Sequence, residues 1–191
     1  MSSLQSDPQF ARGTTLLAGA DIDLNGSTPI AGSGIVGTVK VFQDTNPSTG
    51  VVASNRLVYC MAVRVFKTGV LSGASSTFVA GDVLELTQTT GGVTAAALSG
   101  VASPLWGVVD EYIPSGVVIR NNDIIWVVVK GPATVTATAT AITSGADVIL
   151  TATAGKIAAG TRTVVLGVGV ALEAAGSGGP VRVLVTGSNL A

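Results

Sequence analysis

The second half of this chain runs through the same series of short strands and turns twice, and that constrains its fold more than any other feature. The first copy begins Ala80-Gly-Asp-Val-Leu-Glu-Leu-Thr87 and passes through Gly91-Gly-Val-Thr-Ala to Leu105-Trp-Gly-Val-Val109. It ends Ile125-Trp-Val-Val-Val-Lys-Gly131. The second begins Gly145-Ala-Asp-Val-Ile-Leu-Thr151, passes through Ala154-Gly-Lys-Ile-Ala to Leu166-Gly-Val-Gly-Val170, and ends Val181-Arg-Val-Leu-Val-Thr-Gly187. Each copy has a turn with Asp, a strand, a Gly turn, an Ala-rich return, a strand carrying Gly, a loop and a final strand. Repeated strand units of this kind stack as hairpins into a sandwich or a small barrel. The reading is an internal duplication over residues 80–131 and 145–187.

Composition points the same way. Hydrophobic residues make up 47% of the 191, yet aromatics are 4% and charged residues 11%. Val, Thr, Ala and Gly fill the gap. Val and Thr are branched at Cβ and fit a pleated strand, and glycine serves the turns. The expected fold class is therefore all-β, a small β-barrel or sandwich. Few charges leave a surface of Thr, Ser, Ala and Gly, which favours association. With a mean hydropathy of +0.61 and no membrane segment to explain it, much of the surface is expected to lie against other subunits.

The chain divides into three parts. Residues 1–38 hold Pro8, Pro29 and six glycines between short apolar pieces and read as an extended N-terminal arm. Leu16, Leu17, Ile22, Leu24 and Ile30 are its candidate contacts with a partner protein or a neighbouring subunit. Residues 39–75 read as a β segment and linker. Val39–Phe42 is a short strand, residues 44–50 a loop of turn formers, and Arg56–Lys67 the first long strand. A boundary falls near the Gly/Ser stretch 69–76. Residues 76–191 carry the two units. Between them Ala133–Ala141 alternates Thr with Ala or Val, which sends hydroxyls to one face of a strand and small apolar groups to the other.

Several kinds of chemistry are excluded or disfavoured. There is no His and only one Cys, so neither imidazole-activated nucleophiles nor His- or Cys-ligated metals can be built. Cys60 sits among Val58, Tyr59, Met61 and Val63 and reads as an inert core thiol. Asp110-Glu111 is the remaining carboxylate pair. Neighbours on a strand point to opposite faces, whereas a glycosidase holds its carboxyls about 5–9.5 Å apart across one bond. The pair reads as a solubilising loop edge. Asp21, Asp23 and Asn25 open like a calcium loop, but the closing Glu would fall at Gly32, so an ordinary turn is the reading there. Asp82 and Asp147 read as turn residues accepting backbone N–H bonds. Gly167-Val-Gly169 lacks the Lys-Ser/Thr ending of a phosphate loop. Trp106 and Trp126 read as core anchors, with a sugar-stacking pair as the alternative. The net charge of −1 with scattered basic residues argues against nucleic acid. No cofactor and no metal are expected. No apolar run approaches the ~18 residues of a membrane-spanning helix, and the first residues do not have the form of a signal peptide.

Gly145-Ala-Asp-Val-Ile-Leu, Gly155-Lys-Ile, Val165-Leu-Gly-Val-Gly-Val-Ala-Leu-Glu-Ala-Ala175 and Val181-Arg-Val-Leu-Val-Thr-Gly187 together resemble the decoration (cement) proteins of tailed-phage heads. The likeness covers about a quarter of the chain and does not reach residues 1–75. It implies a non-enzymatic homo-oligomer, a trimer in preference to a dimer, bound to the major capsid protein. It also implies a place on the outer surface of the virion after synthesis in the host cytoplasm, with a role in stabilising capsomer junctions. Two other readings stand beside it. One is a carbohydrate-binding or adhesion module of a head or tail fibre. The other is a hydrolase relying on carboxylates alone.

Overall fold

A computed structural model describes residues 12–13, 15–17, 36–65, 78–89, 92–97, 106–117, 119, 123–151, 153, 155–161 and 167–186. Their regular structure is all strand. The eleven strands are β1 (Thr15–Leu17), β2 (Val39–Thr45), β3 (Val52–Val65), β4 (Val83–Thr89), β5 (Gly92–Ala97), β6 (Trp106–Val109), β7 (Ile124–Thr136), β8 (Asp147–Leu150), β9 (Ile157–Ala159), β10 (Gly167–Ala171) and β11 (Pro180–Val185). The all-β class read from composition is the class observed. The strands belong to one sheet in the order β2-β3-β5-β4-β6-β7-β11-β10-β8-β9, with β1 on β7 and an added pairing of β3 with β7. The sheet is not closed into a barrel. Every pairing is antiparallel except the short contact of β3 with β5.

The sheet order contains the duplication. The run β5-β4-β6-β7 is followed by its mirror, β11-β10-β8-β9. Register agrees at the start of this pair, before a bulge between Gly167 and Gly169 shifts the second unit. Val83 faces Val108 and Leu84 faces Gly107, while Asp147 faces Val170 and Val148 faces Gly169. Val109 pairs with Val127 as Ala171 pairs with Val183. The correspondence also extends upstream of the sequence repeat. Val65 meets Ala95 in parallel, and Ala137 meets Ile157 in parallel. One strand, β7, therefore closes the first unit with residues 124–130 and opens the second with residues 131–136. The alignment read from sequence is displaced by one residue. The Gly81 N–H donates to the Val109 carbonyl, as the Gly145 N–H donates to that of Ala171. Asp82 thus corresponds to Ala146, not to Asp147. Asp82 does serve its turn as expected, accepting the Val79 N–H at 2.9 Å.

Two apolar clusters lie on opposite faces of β3 and β7, as strand alternation requires. One runs through both units and holds Cys60, Trp106, Trp126, Val148 and Val183. The other belongs to the first unit and holds Met61, Val63, Leu84, Ile125 and Val127. Burial on both faces explains the unbroken apolar run Ile124–Val129. In the Thr-alternating stretch Ala133, Val135 and Ala137 are buried while Thr134, Thr136 and Thr138 are half-buried. The strand stops there, and Ala139 to Ala141 are exposed in an irregular turn. The first long strand begins at Val52, four residues before the position read from sequence. The proposed boundary at 69–76 lies outside the described residues.

Gly131 marks the handover on β7. Its φ is +105°, and a Cβ there would run into the Leu57 carbonyl oxygen. Gly131→Ala combines left-handed strain with that collision. It is expected to lower stability by about 3 kcal/mol, read as a drop in the midpoint of thermal unfolding by circular dichroism.

Candidate functional site

Five of the 21 charged residues, which sequence treats as scattered, are gathered into one cluster. Arg12 is 3% exposed, and Asp44 and Asp110 are both 0% exposed. Arg12 Nη2 donates to Asp110 Oδ1 at 2.8 Å, and its Nε donates to the same carboxylate at 3.2 and 3.3 Å. The Gly13 N–H adds a bond to Asp110 Oδ2 at 3.0 Å. The Arg12 guanidinium also stands 4.7 Å from the centroid of the Tyr112 ring. From β11, Arg182 Nη2 donates to both oxygens of Asp44 at 2.7 Å. Its Nη1 donates to both oxygens of Glu111, at 2.8 and 2.7 Å. Ser54 donates to Asp44 at 2.6 Å, and the Thr134 hydroxyl donates to Glu111.

Two guanidiniums and three carboxylates thus share a site with little water access. Unpaired, each would carry a heavy desolvation cost. Burial is the largest influence on Arg12 and works to lower its pKa, but the charge and hydrogen bonds of Asp110, together with smaller contributions that include the Glu111 charge, outweigh it and leave the pKa raised. At Arg182 burial also works downward, and the bonds to Asp44 and the charge of Glu111 reverse it. Both arginines therefore stay charged. The cluster binds strands of both units and a piece of the N-terminal segment into one body. Asp110 and Glu111 are not the solubilising loop edge expected from sequence. They lie just past the end of β6, outside the alternation of a strand, so both can face Arg12.

Asp110→Asn should strand Arg12 with half its partner and destabilise the fold by about 3 kcal/mol, measured by denaturant unfolding. Cys60 is fully buried beside this cluster. Burial, then the charge of Asp110, pushes its thiol pKa well up. A thiol well above its usual pKa holds almost no thiolate at about pH 8. Cys60 is expected to ignore a chromogenic disulfide reagent in the native protein and to react once the chain is unfolded in denaturant.

The other residues singled out in the sequence fall as follows. Leu16 and Leu17 lie in β1, which pairs with β7 at Ile124 and Ile125. Ile22, Leu24 and Ile30 lie outside the described residues, as do Asp21, Asp23 and Asn25. Trp106 and Trp126 are 2% and 1% exposed, the core positions expected. Trp126 meets the Phe42 ring edge-on, with centroids 5.6 Å apart. Among the described residues no group of three or more acidic or Cys side chains is arranged to hold a metal ion. Sequence reasoning missed Arg12 and Arg182. Arg12 has no local pattern around it. Arg182, a lone charge within Pro-Val-Arg-Val-Leu-Val, did carry a signal, because a cation between inward valines on a paired strand needs a partner.

A second feature is the outer face of β2 and β3. Val39, Val41 and Gln43 of β2 stand opposite Met61, Tyr59 and Leu57 of β3. Val39 and Val41 are each 47% exposed and Leu57 is 53% exposed. Among the described residues β2 is the end strand of the sheet path and pairs with β3 alone.

No protein-family model matches this chain, and no curated protein does. Among solved structures it is similar to the head fiber gp8.5 N base of bacteriophage phi29, with 16% identity and a TM-score of 0.42. That similarity covers 70% of this chain and 98% of the other. A likeness so slight carries no argument about function.

Proposed function

We propose that this chain is a structural protein of a tailed-phage head, a decoration protein that binds the outer surface of the shell and stabilises capsomer junctions without chemistry of its own. The observation that carries the reading is the exposed apolar face of β2 and β3. An end strand with an open edge is a natural template for another chain, and contiguous exposed apolar side chains mark association surfaces. A chain with 11% charged residues does little to keep such a face apart from a partner. The resemblance of residues 145–187 to head decoration proteins supplies the kind of partner, the major capsid protein, and self-association as a trimer or a dimer. Residues 12–13 and 15–17 of the N-terminal segment are tied to the body through Arg12 and β1. The arm is thus better tested by substitution than by removal, since deleting it would strip Asp110 of its cation. The sugar-binding reading needs exposed aromatic faces, and both tryptophans lie in the core.

The test is co-sedimentation of the purified protein with expanded, undecorated heads. Saturable binding at a fixed ratio to the shell protein is the expected result. Val39→Glu combined with Val41→Glu should weaken it at least about tenfold while leaving the circular dichroism spectrum unchanged. If the natural sequence does not bind heads, the decoration role falls. If the double variant binds as well as the natural sequence, this face is not the interface.

A further inference from the structure

Where β7 passes from β3 to β11, the ends of those two strands part and leave an open groove of about 440 Å³. Its walls are mostly apolar and include Leu57 and Tyr59 of β3 with Leu184 and Val185 of β11, and Gly131 lies between them. Arg56 and Lys130 line the groove as well, and no lining residue is a carboxylate. The two cations stand apart from the rest of the charge pattern. Arg12 and Arg182 each hold two or more carboxylates within 4 Å, whereas Arg56 and Lys130 form no ion pair among the described residues. Lys130 Nζ instead rests 5.5 Å from the centroid of the Tyr59 ring, over one wall of the groove. A cation held against an aromatic face keeps its charge available to an incoming anion. Leu57 is 53% exposed. It also joins the groove to the open face of β2.

We propose that this groove recognises an extended acidic peptide segment of a partner protein. Its carboxylates pair with Arg56 and Lys130, and its apolar side chains lie on Leu57, Tyr59 and Leu184. The shape fits this occupant, since an open trough between parting strands suits a chain laid lengthwise. Charge complementarity adds specificity and speeds encounter. The inference stands on the groove alone and holds whether or not the partner is a phage shell.

The test is fluorescence anisotropy of a fluorescein-labelled, acetylated peptide of six alternating valines and glutamates, titrated with the full chain at low salt. Saturable binding that weakens with added salt is expected, with no comparable binding of the valine–lysine or serine–glutamate counterparts. Arg56→Gln combined with Lys130→Gln should weaken binding at least tenfold. Both side chains are exposed, so the fold should survive, as an unchanged thermal midpoint would establish. Absence of saturable binding overturns the proposal. So does equal binding of either counterpart peptide, or undiminished binding by the double variant. Because head co-sedimentation is read separately, failure here is distinct from failure of the decoration role.

Discussion

One strand carries the architecture. β7 has to satisfy β6 and β3 with its first half and β11 with its second, so neither unit is complete without it. That double duty shapes its composition. Residues 124–129 are buried on both faces and are uniformly apolar, as strands covered on both sides are. Residues 133–137 face a tighter, single-sided contact and alternate Thr with Ala and Val. Between the halves the backbone bends at a residue without a side chain, because the Leu57 carbonyl occupies the place a Cβ would take. The charge cluster then ties the result together, drawing one carboxylate from β2, two from the turn after β6 and one arginine from β11.

Much of the fold was legible because strands announce themselves locally. The runs at 83–86, 125–129 and 181–185 read correctly as strands from their matching places in the two copies. The alignment slipped by one residue because sequence matched Asp82 with Asp147. The structure matches the turn glycines Gly81 and Gly145, whose bonds fix the register. Side-chain identity is free to drift at such a turn, while the backbone conformation is not.

The site was far less legible, for a physical reason. Arg12 and Asp110 are 98 residues apart in the chain, and nothing local to either announces the other. Burial of an ion pair is decided by how distant strands stack, which periodicity does not encode. Asp44 illustrates the difficulty. It opens a stretch of turn formers and reads as loop, yet it lies in β2, fully buried under Arg182. The pair Asp110-Glu111 was judged by strand alternation when it lies just beyond a strand, where alternation no longer applies.

The cluster also sets an order of events for the chain as it forms. Arg12 precedes all three carboxylates in the chain, and Arg182 follows them. The carboxylates between them are neutralised only when both arginines are in place. Contacts so far apart in sequence are slow to close, and domains that await a late segment stay exposed in the interval. Until β11 docks, Asp44 and Glu111 lack their chief cation and the two units have no electrostatic clasp. The docking of β11 is therefore the closing event for a pocket that Arg12 begins.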